Sequence, residues 1–275
     1  MIPKIIHLCW LSGDAYPANI QACIDSWHRV LPDYEIMLWD TKRFDIHSTP
    51  WTSEAFAQRK YAFAADYIRL YALYNYGGIY LDSDVMVYKP FDDLLHLPYF
   101  IGQDFVGAFE PAIIGCEKGT QFIKDVLDAY TDRHFVKPDG TLDIHNLPVM
   151  FFERLWPKYT FRRIHDKADF IYSEGEITLF DHRFFNARNN IMPHRYRESY
   201  CSHLFAASWG GKNQDTLFTK ILKSLPVWLA NALFGINYHV LRRRQVHHYD
   251  PVYRQGGRVE GFDIHQPRIS NGKCK

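Results

Sequence analysis

The residues with the clearest chemistry are two carboxylates two positions apart, Asp82 and Asp84, in the run Gly77-Gly-Ile-Tyr-Leu-Asp-Ser-Asp-Val-Met-Val-Tyr88. Residues 79–88 are rich in β-branched and aromatic types and read as a strand. Side chains i and i+2 of a strand share a face, so the spacing predicts both carboxylates on one side. Two such anions in an apolar strand repel each other and are costly to desolvate. A divalent cation relieves both problems, and oxygen ligands favour a hard ion such as Mg²⁺ or Mn²⁺. The plainer alternative ends the strand at Asp82 and leaves both aspartates solvated in a loop. The flanking Gly-Gly-Ile-Tyr-Leu favours the metal.

The element before this run must position it. Residues 63–76 are almost all apolar or aromatic, which predicts a helix buried on every side. Gly77 and Gly78 end it, because glycine adopts the left-handed cap without a Cβ clash. Asp66 and Arg69 are the only charges between Lys60 and Asp82, and at i, i+3 they share a helix face. They are either a buried structural ion pair or a polar site at the helix end. In the second case Arg69 binds an anion or orients a carboxylate.

The run Ala65-Asp66-x-x-Arg69-(x)7-Gly77-Gly78-x-Tyr80-x-Asp82-x-Asp84 resembles the sugar-binding motif region of glycosyltransferase family 32. It is also similar to the core of the large clostridial glucosylating toxins. The resemblance implies an α/β fold of the GT-A type, a single nucleotide-binding domain with a mainly parallel central sheet. It implies a retaining, metal-dependent transfer of a hexose from a nucleotide sugar, with a UDP-hexose favoured. The acceptor would be a hydroxyl of a polysaccharide, lipopolysaccharide or glycolipid, and the cofactor Mn²⁺ or Mg²⁺. Carried over residue by residue, Asp82 and Asp84 hold the metal, Asp66 and Arg69 hold sugar hydroxyls, and Tyr80 lines the pocket. Trp10, in the segment Lys4-Ile-Ile-His-x-x-Trp10, stacks on the donor base by this resemblance; from pattern alone an ordinary core tryptophan is the safer reading. His203 completes the metal ligands, with Ser208 as the alternative, and Trp209 contacts the diphosphate. Where the family often has Thr-Gly-Pro, this chain reads Asn146-Leu-Pro148, with Asp143 and His145 upstream.

Other readings compete. A phosphatase of the haloacid dehalogenase type also uses Asp-x-Asp after an apolar strand, but wants Thr or Val where Met86 stands and carries the motif near the N-terminus. A non-catalytic sugar-binding protein on the same fold is a third reading. A protein-modifying effector is a variant of the enzyme.

The order of the remaining elements follows from periodicity and turn residues. Strands are expected over 3–10 and 34–39, with a helix over 19–30 between them, which makes a βαβ unit of a parallel sheet. Ligands of such sheets sit beyond the strands' carboxyl ends, where Trp10 and Asp40 fall. Helices follow over 52–58 and 60–76, and two short strands over 100–114 turn around Gly107. A helix from 119 to 130, a helix over 150–156, and strands over 160–164 and 170–172 follow, and 177–180 leads into Asp181-His182-Arg183-Phe184 as sheet-edge and acceptor-side elements. His7 reads as structural, and Asp92-Asp93 as turn punctuation.

The 275 residues suit a domain over 1–215 with a helical, basic extension over 216–275. A net charge of +1 gives no signal for nucleic acid. Five scattered cysteines without a Cys-x-x-Cys pair predict neither zinc nor a disulfide framework, and suit a reduced compartment. No signal-peptide pattern or long apolar run is visible, so the expectation is a cytoplasmic, bacterial-type enzyme, peripheral at most on the inner membrane face. Segment 222–248 carries Trp, Leu and Phe beside Arg242-Arg-Arg244. It either lies on an anionic membrane surface, suiting a lipid-linked acceptor, or docks as a C-terminal helix.

Overall fold

The computed structural model describes residues 1–185, 196–204 and 248–256, with isolated positions between 221 and 236. Seven strands form one sheet in the order β2-β1-β3-β6-β5-β8-β7. The strands are β1 (Ile5–Cys9), β2 (Glu35–Trp39), β3 (Gly78–Leu81), β5 (Tyr99–Gln103), β6 (Phe109–Cys116), β7 (Thr160–Ile164) and β8 (Glu176–Phe180). The pairs β1–β2, β1–β3, β5–β8 and β7–β8 are parallel. Only β6 runs against its two neighbours. The sheet is therefore mixed but mainly parallel, as expected, and the carboxyl ends of the other six strands share one edge.

Both faces of the sheet are covered, so its central strands are apolar on both sides. On one face, Ile20, Ile24 and Trp27 of α1 (Ala18–Val30) pack with Ile6, Leu8, Ile79 and Leu81. On the other lie α2 (Pro50–Ala57), α3 (Tyr61–Tyr76), α4 (Gln121–Leu127) and α5 (Leu147–Leu155). Trp51, Ile68, Leu73, Phe122 and Phe151 from these helices meet Tyr80 and Ile114 of the sheet. Asn146 serves as the α5 N-cap, its side chain accepting from Val149 N at 3.1 Å. A short helix, α6 (His182–Phe185), and α7 (Pro251–Arg254) complete the described elements.

Two strand expectations are corrected. The single strand over 79–88 is two, β3 and β4 (Val85–Val87), divided by a turn at Asp82-Ser83-Asp84 in which Val85 N donates to Asp82 O at 3.0 Å. Asp and Ser favour turns because their side chains compete for the backbone. Beyond the turn β4 leaves the main sheet and pairs antiparallel with β9 (Cys201–His203). Residues 170–172 form no strand, because Arg162 takes the carbonyls of Asp169 and Ile171 at 2.9 and 3.0 Å.

The junction between α3 and β3 is set by backbone crowding. Gly77 has φ +67 and Gly78 φ +105, and a Cβ on Gly78 would stand 2.7 Å from Ile5 O. His7 locks the same corner: its Nε2 donates to Gly77 O at 2.6 Å while Nδ1 accepts from Trp39 Nε1 at 3.1 Å. This assigns one neutral tautomer. Burial pulls His7 down to about 4. The structural role expected for His7 is the one observed.

Candidate active site

The Asp82–Asp84 turn sits at the carboxyl end of β3. Asp82 N donates to Ala112 O of β6 at 2.9 Å, so the turn begins fixed to the sheet. Its far side is fixed to α1: Trp27 Nε1 donates to Val85 O at 2.7 Å, and Val87 N donates to Ser26 Oγ at 3.0 Å. Pairing of β4 with β9 puts Val85 opposite His203, and Leu204 N donates to Asp84 O at 3.0 Å. A turn and a strand pair thus converge the groups that strand alternation was expected to align.

Asp82, Asp84 and His203 each present a ligand atom within 4.8 Å of the others. His203 Nε2 lies 3.3 Å from Asp84 Oδ1. Divalent cations bind oxygen and nitrogen ligands at about 2.0–2.6 Å, which places neighbouring ligand atoms roughly 3–4.5 Å apart. The three groups therefore fit such an ion with little movement. Two carboxylates and one imidazole suit Mn²⁺ at least as well as Mg²⁺. Asp84 is buried and Asp82 is not solvated as a loop residue would be; its side chain is 25% exposed. Burial raises Asp82 above the ordinary carboxylate range against the pull of Arg69. Burial alone would lower His203, but Glu110 and Asp84 override it and hold the imidazole well above its ordinary value.

Behind this turn stands Arg69 of α3. One guanidinium nitrogen, Nη2, meets Asp82 Oδ1 at 2.9 Å and Asp66 Oδ1 at 3.2 Å. The other, Nη1, donates to Pro111 O of β6 at 2.6 Å. Tyr80 OH donates to Asp82 Oδ1 at 3.1 Å, and the guanidinium lies over the Tyr80 ring at 4.4 Å. The guanidinium thus lies between two carboxylates, the arrangement expected both of a buried ion pair and of a group that orients them. Burial pushes Asp66 up to about 7, with Arg69 opposing and Asp82 adding to the rise.

Sequence reasoning missed Glu110. It is buried on β6, and its Oε1 lies 3.3 Å from His203 Nδ1. The available signal was a lone carboxylate inside an otherwise apolar strand, Phe109–Cys116.

Trp10 lies just beyond the carboxyl end of β1, half-buried, its Nε1 donating to Asp14 O at 2.8 Å and its ring 4.9 Å from Tyr16. Asp40, beyond β2, accepts from Lys42 N and Arg43 N. Asp92 and Asp93 pair with Lys4 and Lys167, as turn residues on the surface. Asp143 pairs with Arg133, and His145 with Glu153. Ser208 and Trp209 lie outside the described residues, as does most of 222–248. Among the described residues no helix is long and apolar enough to cross a membrane.

Residues 17–101 match the family described as glycosyltransferase sugar-binding region containing DXD motif. The matched span includes Asp66, Arg69, Tyr80, Asp82 and Asp84. The chain is 33% identical over 133 residues to inositol phosphoceramide mannosyltransferase 3 of Schizosaccharomyces pombe, covering 46% of this chain and 36% of the relative. It is 35% identical over 170 residues to a mannosyl phosphorylinositol ceramide synthase of Saccharomyces cerevisiae, covering 58% and 43%. The chain thus spans less than half the length of either relative. Among solved structures, the PaToxG glycosyltransferase superposes with a TM-score of 0.41 at 23% identity, covering 57% of this chain and 68% of that one. Residues 17–101 are thus similar to the sugar-binding region of glycosyltransferases that contain a DXD motif.

Proposed function

We propose that this chain transfers a hexose from a nucleotide sugar to an acceptor hydroxyl, with Asp82, Asp84 and His203 holding a divalent cation, Mn²⁺ or Mg²⁺. The observation that carries the reading is the convergence of one ligand atom from each of these three side chains within 4.8 Å, with Asp82 and Asp84 inside the matched DXD region and His203 brought to them by β9. A divalent cation there would stabilise the negative charge of the departing nucleoside diphosphate.

The chain's own residues supply the rest. Arg69, fixed by Pro111 O and the two aspartates, holds Asp82 in one orientation through Oδ1. Asp66, at the same guanidinium, offers its second oxygen to a sugar hydroxyl and so places the anomeric carbon. Trp10 stacks on the base, Tyr80 closes the pocket wall, and Trp209 donates to a phosphate oxygen. Ser208 is the alternative third ligand. The transfer retains anomeric configuration by front-side attack of the acceptor.

The donor expected is a UDP-hexose. A second reading, GDP-mannose, is favoured by the names of the two fungal relatives, which both include mannosyl transfer and ceramide. Those names also support a glycolipid acceptor over a capsular one, with 222–248 resting on the membrane surface. The test is release of nucleoside diphosphate from UDP-Glc, UDP-Gal, UDP-GlcNAc and GDP-Man with Mn²⁺. Release from one donor, dependent on the ion and lost in Asp84→Ala, supports the transferase and names its donor. The absence of both release and ion-dependent binding of UDP or GDP would sink it.

A further inference from the structure

Three consecutive residues of β6 each hold a different part of the site. Glu110 Oε1 faces His203 Nδ1 at 3.3 Å, Pro111 O accepts from Arg69, and Ala112 O accepts from Asp82 N. They can do so because β6 departs from regular pairing here. Its register against β5 steps from Ile101↔Ile114 to Gly102↔Glu110. Such irregularities free backbone groups from the ladder and re-aim side chains, and a proline without an N–H is tolerated at them.

We propose that Glu110 is a positioning residue for the cation site, fixing the tautomer and ring orientation of His203. The proposal rests on the reading of Asp82, Asp84 and His203 as ligands. An imidazole offers a lone pair on one nitrogen only when its proton resides on the other. His203 presents Nε2 to Asp84 and Nδ1 to Glu110, each at 3.3 Å. A carboxylate at Nδ1 keeps the proton there, leaves Nε2 as the donor atom and makes it a stronger one. Glu110 is itself held: Ala112 N donates to the same Oε1 at 3.2 Å. Its side chain is 6% exposed and that of His203 is 15%, so water competes little for this contact.

The experiment uses Mn²⁺ alone, titrated by electron paramagnetic resonance, with electron spin echo modulation reading ¹⁴N coupling from a bound imidazole. The full chain should show one nitrogen coupling that disappears in His203→Ala. Glu110→Ala should weaken Mn²⁺ binding about 10–100-fold and reduce the nitrogen coupling. Glu110→Met, which fills the volume without an acceptor, should do the same and serves if the smaller side chain does not fold. Glu110→Gln should restore most of the affinity and the coupling, because Ala112 N–H keeps an oxygen facing Nδ1. Wild-type affinity and coupling in the alanine or methionine variant would overturn the proposal, as would a glutamine variant no better than alanine. A nitrogen coupling that survives His203→Ala would instead overturn the ligand reading, and this proposal with it.

Discussion

The charge of Asp84 is met by His203, whose Nε2 lies 3.3 Å from Oδ1. Asp84 is in turn a like charge beside Asp82 and adds to the rise of that carboxyl, which burial dominates. Removing Asp84 therefore relieves repulsion in the metal-free protein while removing a ligand from the cation. Asp84→Ala is expected to lower Mn²⁺-dependent nucleotide release by about 100-fold or more, with no loss in thermal stability. Paired activity and melting measurements check this; a variant that loses both would move Asp84 to a structural role. His7 makes a separate prediction. Its folded value of about 4 lies below the ordinary 6.5. The unfolded chain therefore takes the proton first, and stability is lost as pH falls from 6.5 towards 4. Asp66, raised to about 7, runs the opposite way, so the two are separated by comparing wild type with His7→Asn. The stability that His7 confers over that variant should shrink by up to about 3 kcal/mol between pH 7 and pH 4, read from urea midpoints. A pH-independent difference would contradict the buried neutral tautomer.

At the scale of elements, the site depends on where β3 begins. A Cβ on Gly78 meets Ile5 O of the adjacent strand, and φ +105 is itself unfavourable for other residues. Gly78→Ala should cost at least about 1–3 kcal/mol, and Mn²⁺ affinity should fall with it because β3 carries Asp82. Calorimetry and ion titration on one sample check both. The buried α3 and its glycine stop were legible because a near-continuous apolar run and two glycines leave few alternatives. The parallel βαβ start was legible for the same reason, from period and spacing. The turn at Asp82-Ser83-Asp84 was not. Alternation in 79–88 reads the same whether the chain continues in one sheet or crosses to another, and the partner of β4 is β9, more than a hundred residues away. Three residues, Cys201–His203, carry too little pattern to mark a strand. The conclusion that the two carboxylates converge was right, while the geometry used to reach it was not.

At the scale of the molecule, Tyr249 and Asp250 tie the last described stretch to the rest of the fold, Tyr249 against Phe152 and Asp250 against Arg163. Asp250 is fully buried, pairs with Arg163 of β7 at 2.7 Å and caps α7 through Val252 N and Tyr253 N. Gln103 of β5 joins the same knot, and Gly107 leaves the space that Asp250 fills. Removing one partner of a buried pair strands the other charge. Asp250→Ala should cost about 3–5 kcal/mol in chemical denaturation, whereas Lys124→Ala, at a surface pair with Asp128, should cost no more than about 1 kcal/mol. Equal effects would mean that the C-terminal segment is not docked through Asp250. Nothing in the sequence marked this aspartate, because it falls beyond a basic stretch and its partner is 87 positions earlier.

The central claim is that Asp82, Asp84 and His203 hold one divalent cation. Its most direct test is anomalous diffraction from crystals of the protein grown or soaked with Mn²⁺. The account predicts a single strong peak bonded to carboxylate oxygens of Asp84 and Asp82, directly or through water, and to His203 Nε2. No peak there at saturating Mn²⁺, or a peak held by other residues, would contradict it.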